Sequence, residues 1–282
     1  MTTPLDLAAL LPQVREIAED AGREIMTIFH DESRWQVQHK EDESPLTAAD
    51  LAAHHAIGAA LATLTPDIPV ISEESEAIPV AERRAWPRCW LVDPLDGTKE
   101  FIARSGDFTV NIALVENGEA ILGVVHAPAK GVAYVAARGC GAQRIEQGGS
   151  RPLASATLPA AGARPLRLVA SKRHRGERDA EFCVKAEAAF GAVEFNTAGS
   201  AFKICVVAEG EADVYPRFGP TMEWDTAAGQ VVVEEAGGAL VDEQGRPFRY
   251  NQRDTLLNGS FLVFGDAPET WRAICAQMSG AA

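Results

Sequence analysis

Two aspartates three residues apart, Asp93 and Asp96, close an apolar run in "WLVDPLDGTKEF". Carboxylates held this close repel one another unless cations lie between them. Pro94 and Leu95 turn the chain tightly enough to aim both side chains, and a backbone carbonyl, at one point. Three more acidic features stand at the ends of elements: Glu73 and Glu74 in "SEES", Asp225 in "WDTAAG" and Asp50 in "SPLTAAD". Oxygen donors with no nearby Cys or His select hard ions, so Mg²⁺ or Mn²⁺ is the expected metal. Gly97, directly after Asp96, permits close approach of a ligand. Thr98 opens "TKEFI", which reads as a short helix whose first N–H groups suit phosphate oxygens. Metal carboxylates beside a phosphate cradle describe phosphoryl transfer, in which two cations about 4 Å apart activate water and stabilise the leaving oxygen.

Each feature also has an ordinary structural reading. Asp225 suits a helix N-cap, "SEES" a solvated acidic turn, and "DPLDG" a plain turn. Their combination with the Gly-Thr and Trp-Asp pairs favours chemistry.

The elements that must position these groups are legible from periodicity. An apolar stripe from Leu7 to Ile28 predicts a helix over residues 5–29, and a second helix spans Ala48 to Leu64 after a polar turn. "IPVIS" and "CWLVD" read as strands. "FTVNIALVENGEAILGVVHAP" reads as a hairpin turning at Asn117-Gly118, and "GVAYVAARGCGAQRI" adds more strand. The Ala- and Pro-rich stretch from Pro152 to Pro165 predicts a boundary between an α+β part, residues 1–155, and an α/β part, residues 156–282. Beyond it come strand "LRLVAS", a helix over Glu177–Ala189, strand "AVEFNT", a helix over Ala201–Glu209 and strand "ADVYPRF". A helix from Asp225 to Ala236, closed by Gly237-Gly238, follows. "DAPETWRAICAQMSGAA" reads as a terminal helix. Strand ends and helix starts share a rim in α/β architectures, so the acidic groups are expected to meet.

Composition narrows the setting. The 282 residues are 46% hydrophobic and 23% charged, an ordinary globular balance. A net charge of −14 disfavours nucleic acid polymers and anionic membranes, though it says nothing of a local basic pocket. The first residues lack a basic start followed by an apolar stretch, and no run approaches the roughly 18 apolar residues of a membrane span. Five cysteines without CxxC spacing point to a reducing cytoplasm rather than disulfides or zinc. His54 and His55 are adjacent, point in different directions on a helix, and read as a structural or solvated pair.

Together these stretches resemble the lithium-sensitive, magnesium-dependent phosphomonoesterase superfamily containing the inositol monophosphatases. Within it they are most similar to the 3'(2'),5'-bisphosphate nucleotidases of the CysQ type. The resemblance rests on "SPLTAADLAAH", "LTPDIPVISEES", "WLVDPLDGTKEFIARSGDFTVNIALVENGEAILGVVHAP", "GSAFKICVVAEG" and "YPRFGPTMEWDTAAG", covering about residues 40–240. It implies a layered α-β-α-β-α sandwich. It also implies a metal set of Glu73, Asp93, the Leu95 carbonyl, Asp96 and Asp225, with Asp93 bridging two cations and Glu74 an outer or water-mediated partner of Glu73. Asp50 and Thr98 would deprotonate the attacking water, with Glu73 in the catalytic set, while the Gly97 and Thr98 N–H groups hold phosphate. Two or three Mg²⁺ ions are implied, with Mn²⁺ as a substitute and Li⁺ as an inhibitor.

Substrate choice turns on "YPRFGPTMEWD". Inositol phosphatases, by the resemblance, place an acidic group near Arg217 to grip sugar hydroxyls; here the position is cationic, and "AFKIC" adds Lys203. Two cations in an acidic chain suit a substrate with more than one anionic group. The expected reaction is hydrolysis of the 3'-phosphate of adenosine 3',5'-bisphosphate, with its sulfated analogue a secondary substrate, in sulfur assimilation. Ser200 and Asp225 join the substrate contacts. Ser171, with Lys172, Arg173 and His174, forms a basic turn that either contacts the nucleotide or is a solvated loop; Lys203 has a surface reading as well. The rival activities are an inositol-1-monophosphatase or other sugar-phosphate phosphatase, and a sensor that binds the phosphonucleotide without cutting it. The expected protein is a cytoplasmic monomer or homodimer, peripheral on the cytoplasmic membrane face by resemblance.

Overall fold

A computed structural model describes residues 4–39, 45–170 and 176–266. The "VASKRH" turn from Ser171 to His174 and the expected terminal helix lie outside the described residues.

The first helix, α1 (Leu7–Phe29), starts at Asp6, whose carboxylate accepts the Ala9 N–H at 3.0 Å, and it buries Val14, Ala18, Ala21 and Ile25. A small antiparallel pair follows, β1 (Gln38–His39) and β2 (Pro45–Leu46), then α2 (Ala48–Leu64). Next come β3 (Val70–Ser72), the short α3 (Val80–Arg83), β4 (Arg88–Asp96) and α4 (Thr98–Ile102). Strands β5 (Thr109–Glu116) and β6 (Glu119–Ala127) form the expected hairpin. Asn117 and Gly118 both have positive φ, as a two-residue primed turn requires. With β7 (Val132–Ala137), β8 (Gly141–Glu146) and β9 (Gly149–Pro152) they complete a seven-stranded sheet in the order β3 to β9. Only the β3–β4 pair is parallel.

The second sheet begins with β10 (Leu166–Ala170), followed by α5 (Glu177–Phe190), β11 (Val193–Thr197), α6 (Phe202–Ala208) and β12 (Val214–Arg217). Helix α7 (Glu223–Glu235) and strands β13 (Ala239–Asp242) and β14 (Phe261–Phe264) complete the described chain. The sheet order is β11-β10-β12-β14-β13, with the last two strands antiparallel.

Three apolar clusters bind the layers. The α1–α2 pair covers one face of the first sheet, α6 and α7 fill the space between the sheets, and α5 covers the outer face of the second. That is the α-β-α-β-α sandwich. Close approach of α7 to β6 depends on Gly123, where a Cβ would stand 2.3 Å from the Ala228 carbonyl oxygen.

Two details depart from expectation. Helix α7 begins at Glu223, two residues early, so Asp225 lies in its first turn instead of opening it. The Met222 side chain at the N-cap has no oxygen to offer, and the Asp225 carboxylate folds back to accept the Met222 N–H at 2.8 Å. Strands β13 and β14 have no counterpart in the reading of the sequence; the four apolar residues of β14 stand alone after a long polar loop. Buried between β12 and β13, the β14 residues become strand through tertiary pairing.

Candidate active site

Strand β4 delivers two carboxylates where its pairing with β5 shifts register between Asp93 and Asp96. Such a bulge re-aims side chains at a strand end. Asp93 is 2% exposed, and its Oδ1 accepts the Leu95 N–H at 3.0 Å, fixing the carboxylate against the turn. Burial pushes the Asp93 carboxyl well above the ordinary range, and the negative charges of Glu73, Asp96, Asp225 and Asp50 push the same way. The five predicted acids therefore act on one another, although they arrive from four parts of the chain.

Glu73 follows β3 directly, and its N–H donates to the Val92 carbonyl at 3.1 Å, which lays "SEES" beside β4. Glu74 is part-exposed in the same turn. Asp225 faces the cleft described below, and burial followed by the Asp96 charge raises its carboxyl as well. Asp50, 2% exposed in the first turn of α2, accepts the Thr47 N–H at 2.7 Å and the Thr47 hydroxyl at 2.6 Å on Oδ2. Its Oδ1 accepts the Thr98 hydroxyl at 3.2 Å, and that hydroxyl also lies 3.5 Å from the Leu95 carbonyl. Thr47 is a functional neighbour that the sequence reading passed over. Its signal was present in "TAAD", a threonine three residues before an acid at a helix start.

Gly97 links β4 to α4 at φ +98°, and a Cβ there would lie 3.1 Å from the Asp107 carbonyl oxygen. Only glycine lets this turn pass so close to the neighbouring loop.

Asp96 and Asp225 open onto a cleft of about 190 Å³, lined also by Gly97, Ser200, Lys203 and Arg217 among others. Glu100 and Asp107 also line it, two acids that no local pattern singles out. Ser200 occupies the left-handed region at φ +53°, and its hydroxyl donates to Asp96 Oδ2 at 2.5 Å. The Ala201 N–H donates to the same oxygen. Lys203 is buried, donates from Nζ to the Ser200 carbonyl at 2.8 Å and lies over the Tyr215 ring at 5.5 Å. Burial lowers its pKa to about 8, with Arg217 pushing the same way and Asp96 opposing. The surface-lysine reading is corrected here: α6 sits between the sheets, so its polar position faces the cleft. Arg217 ends β12, donates from Nη2 to the Pro220 carbonyl at 3.1 Å, and keeps Nε buried with no hydrogen-bond partner among the described residues.

The donor set fits a hard divalent cation. Glu73, Asp93, Asp96, Asp225 and the Leu95 carbonyl offer oxygen only, and the raised Asp93 carboxyl registers the uncompensated repulsion that a cation would relieve. Among the described residues no three Asp, Glu, His or Cys side chains are already gathered about a single point. One oxygen of each aspartate is instead held by the protein: Asp93 by Leu95, Asp96 by Ser200 and Ala201, Asp225 by Met222.

The chain is similar over nearly its whole length to known proteins. The inositol monophosphatase family model matches residues 6–275. The 3'(2'),5'-bisphosphate nucleotidase CysQ of Salmonella typhimurium is 46% identical over 90% of this chain and 99% of its own. That of Aggregatibacter actinomycetemcomitans is 39% identical over 92% and 94%. Among solved structures, CysQ from Bacteroides thetaiotaomicron superposes with a TM-score of 0.81 at 38% identity, covering 94% of this chain and 99% of that one. An inositol monophosphatase from Anabaena shares the fold, with a TM-score of 0.74 at 23% identity over 99% and 98% of the two chains. By its family match, its full-length relatives and its fold, the chain belongs to the inositol monophosphatase family.

Proposed function

We propose that this protein is a Mg²⁺-dependent 3'(2'),5'-bisphosphate nucleotidase that hydrolyses adenosine 3',5'-bisphosphate to AMP and phosphate. The observation that carries the substrate class is the placing of Lys203 and Arg217 in the same cleft as Asp96 and Asp225. An anionic group besides the scissile phosphate has two cations to meet there, and Arg217 brings a donor still lacking a partner among the described residues.

Glu73, Asp93, the Leu95 carbonyl, Asp96 and Asp225 would hold two or three Mg²⁺ ions, with Mn²⁺ as a substitute and Li⁺ as an inhibitor. When bound, Mg²⁺ supplies Lewis-acid stabilisation of phosphoryl charge and a lowered pKa for water. The chain's own residues move the proton. With its hydroxyl donated to Asp50, Thr98 presents its oxygen lone pairs to a water proton and passes its own proton to Asp50 Oδ1. The Thr47 bonds hold Asp50 in place for that transfer. Gly97 and Thr98 N–H groups seat the scissile phosphate, and Ser200, Lys203 and Arg217 seat the rest of the nucleotide. In the cell this activity would clear a by-product of sulfate activation, in the cytoplasm. Among the described residues no helix is long and apolar enough to cross a membrane.

The test is Arg217→Ala. Its KM for adenosine 3',5'-bisphosphate should rise about tenfold or more, the worth of a charge-assisted hydrogen bond, while KM for 3'-AMP stays near wild type. Equal losses on both substrates would contradict recognition of the second phosphate by Arg217.

A further inference from the structure

Helix α2 touches the acidic site at two points, and only one of them is the Asp50–Thr98 pair. His54 stands four residues after Asp50, on the same face and about 6 Å further along the axis. Its Nδ1 lies 2.9 Å from the hydroxyl of Ser72. Ser72 is the last residue of β3, is 4% exposed, and immediately precedes Glu73. It pairs with Val92, the residue before Asp93, in the parallel β3–β4 register. Helix α2 is therefore tied by Asp50 to the turn that follows β4 and by His54 to the turn that follows β3.

These two turns carry the groups that must act together, Thr98 on one side and Glu73 on the other. Strand β3 is three residues long and sits at the edge of its sheet, so backbone pairing alone holds its end loosely. A side-chain bond from a long, packed helix is the additional constraint. Histidine suits the position because burial, and then the neighbouring His55, lowers its pKa below the usual value, which favours the neutral ring. A neutral imidazole bonds to a hydroxyl in either tautomer without offering Glu73 a competing cation. The neighbouring His55 is exposed.

We propose that His54 is a positioning residue whose bond to Ser72 fixes the Glu73 carboxylate against the metal site and in register with Asp50 and Thr98. It touches neither substrate nor metal. The inference rests on the reading of Glu73 as a Mg²⁺ ligand.

The experiment is Mg²⁺ calorimetry on the full chain, with thermal melting of each variant to confirm folding. His54→Leu should weaken Mg²⁺ affinity about tenfold, as loss of a partner behind a metal ligand typically does. Ser72→Ala should cost a similar factor, and the double variant no more than either single one, because both remove the same bond. His54→Asn should restore affinity, since its amide lies where Nδ1 was; His54→Gln, whose amide lies where Nε2 was, should not. Glu73→Gln serves as the control. If it weakens Mg²⁺ binding while His54→Leu does not, or if His54→Leu and Ser72→Ala add, the positioning role is overturned and the ligand reading stands. If Glu73→Gln leaves Mg²⁺ affinity unchanged, the ligand reading fails and takes the positioning role with it.

Discussion

Thr98 donates its hydroxyl to Asp50 and bonds no other acid in the cluster, so the proton path can be cut without removing a carboxylate ligand. Thr98→Ala should lower kcat about 10²-fold or more while calorimetric Mg²⁺ affinity stays near wild type. Unchanged turnover would reject the assigned role. Lys203 makes a second residue-scale prediction. A buried amine near pH 8 is charged below that value and neutral above it, so kcat/KM for the bisphosphate should decline above pH 8. In Lys203→Met activity should be lower throughout and the alkaline decline absent; its persistence would assign the decline to another group. The acids of this site were legible in the sequence because type and spacing alone, Asp93 with Asp96 before Gly97, set up a repulsion that demands an answer. The burial of Lys203 was not legible, since a lone lysine on a seven-residue helix has the pattern of a surface position until the second sheet closes over it. The bond between His54 and Ser72 was not legible for a related reason: the two residues are 18 apart, and nothing in the local pattern links them.

Helix α7 is the element on which the site most depends, because it carries Asp225 in its first turn and packs on the first sheet along its length. Its seat on β6 is tight at Gly123, where any Cβ meets backbone atoms of Ala228 rather than a side chain that can swing away. Gly123→Ala should destabilise the protein by about 1–3 kcal/mol, read from the urea midpoint, and should also weaken Mg²⁺ binding as Asp225 shifts with the helix. Destabilisation with undiminished Mg²⁺ affinity would mean that α7 carries no ligand. Long periodic elements such as α1, α2 and the β5–β6 hairpin were readable because local pattern and tertiary role agree. The start of α7 was not, because Asp225 at its third position imitates an N-cap while the actual cap, Met222, has no capping side chain. Strand β14 was unreadable for the opposite reason, being defined by its neighbours instead of its own four residues.

At the scale of the whole molecule, two sheets and the helices between them bring carboxylates from β4, α2, α7 and the turn after β3 within electrostatic reach of Asp93, and Asp96 and Asp225 share a cleft with two cations, on α6 and β12. The net charge of −14 conceals this arrangement, since a sum over the chain carries no information about where the few cations stand. Layering was legible in the order of strands and helices; the substrate preference had to be argued from where Lys203 and Arg217 come to rest. The most direct measurement is phosphate release by the purified protein with Mg²⁺, comparing kcat/KM on adenosine 3',5'-bisphosphate and myo-inositol 1-phosphate. One or two charge-assisted contacts to the second phosphate predict a preference of about 10–100-fold for the bisphosphate. Equal turnover of the two esters, or a preference for the inositol phosphate, would contradict the account.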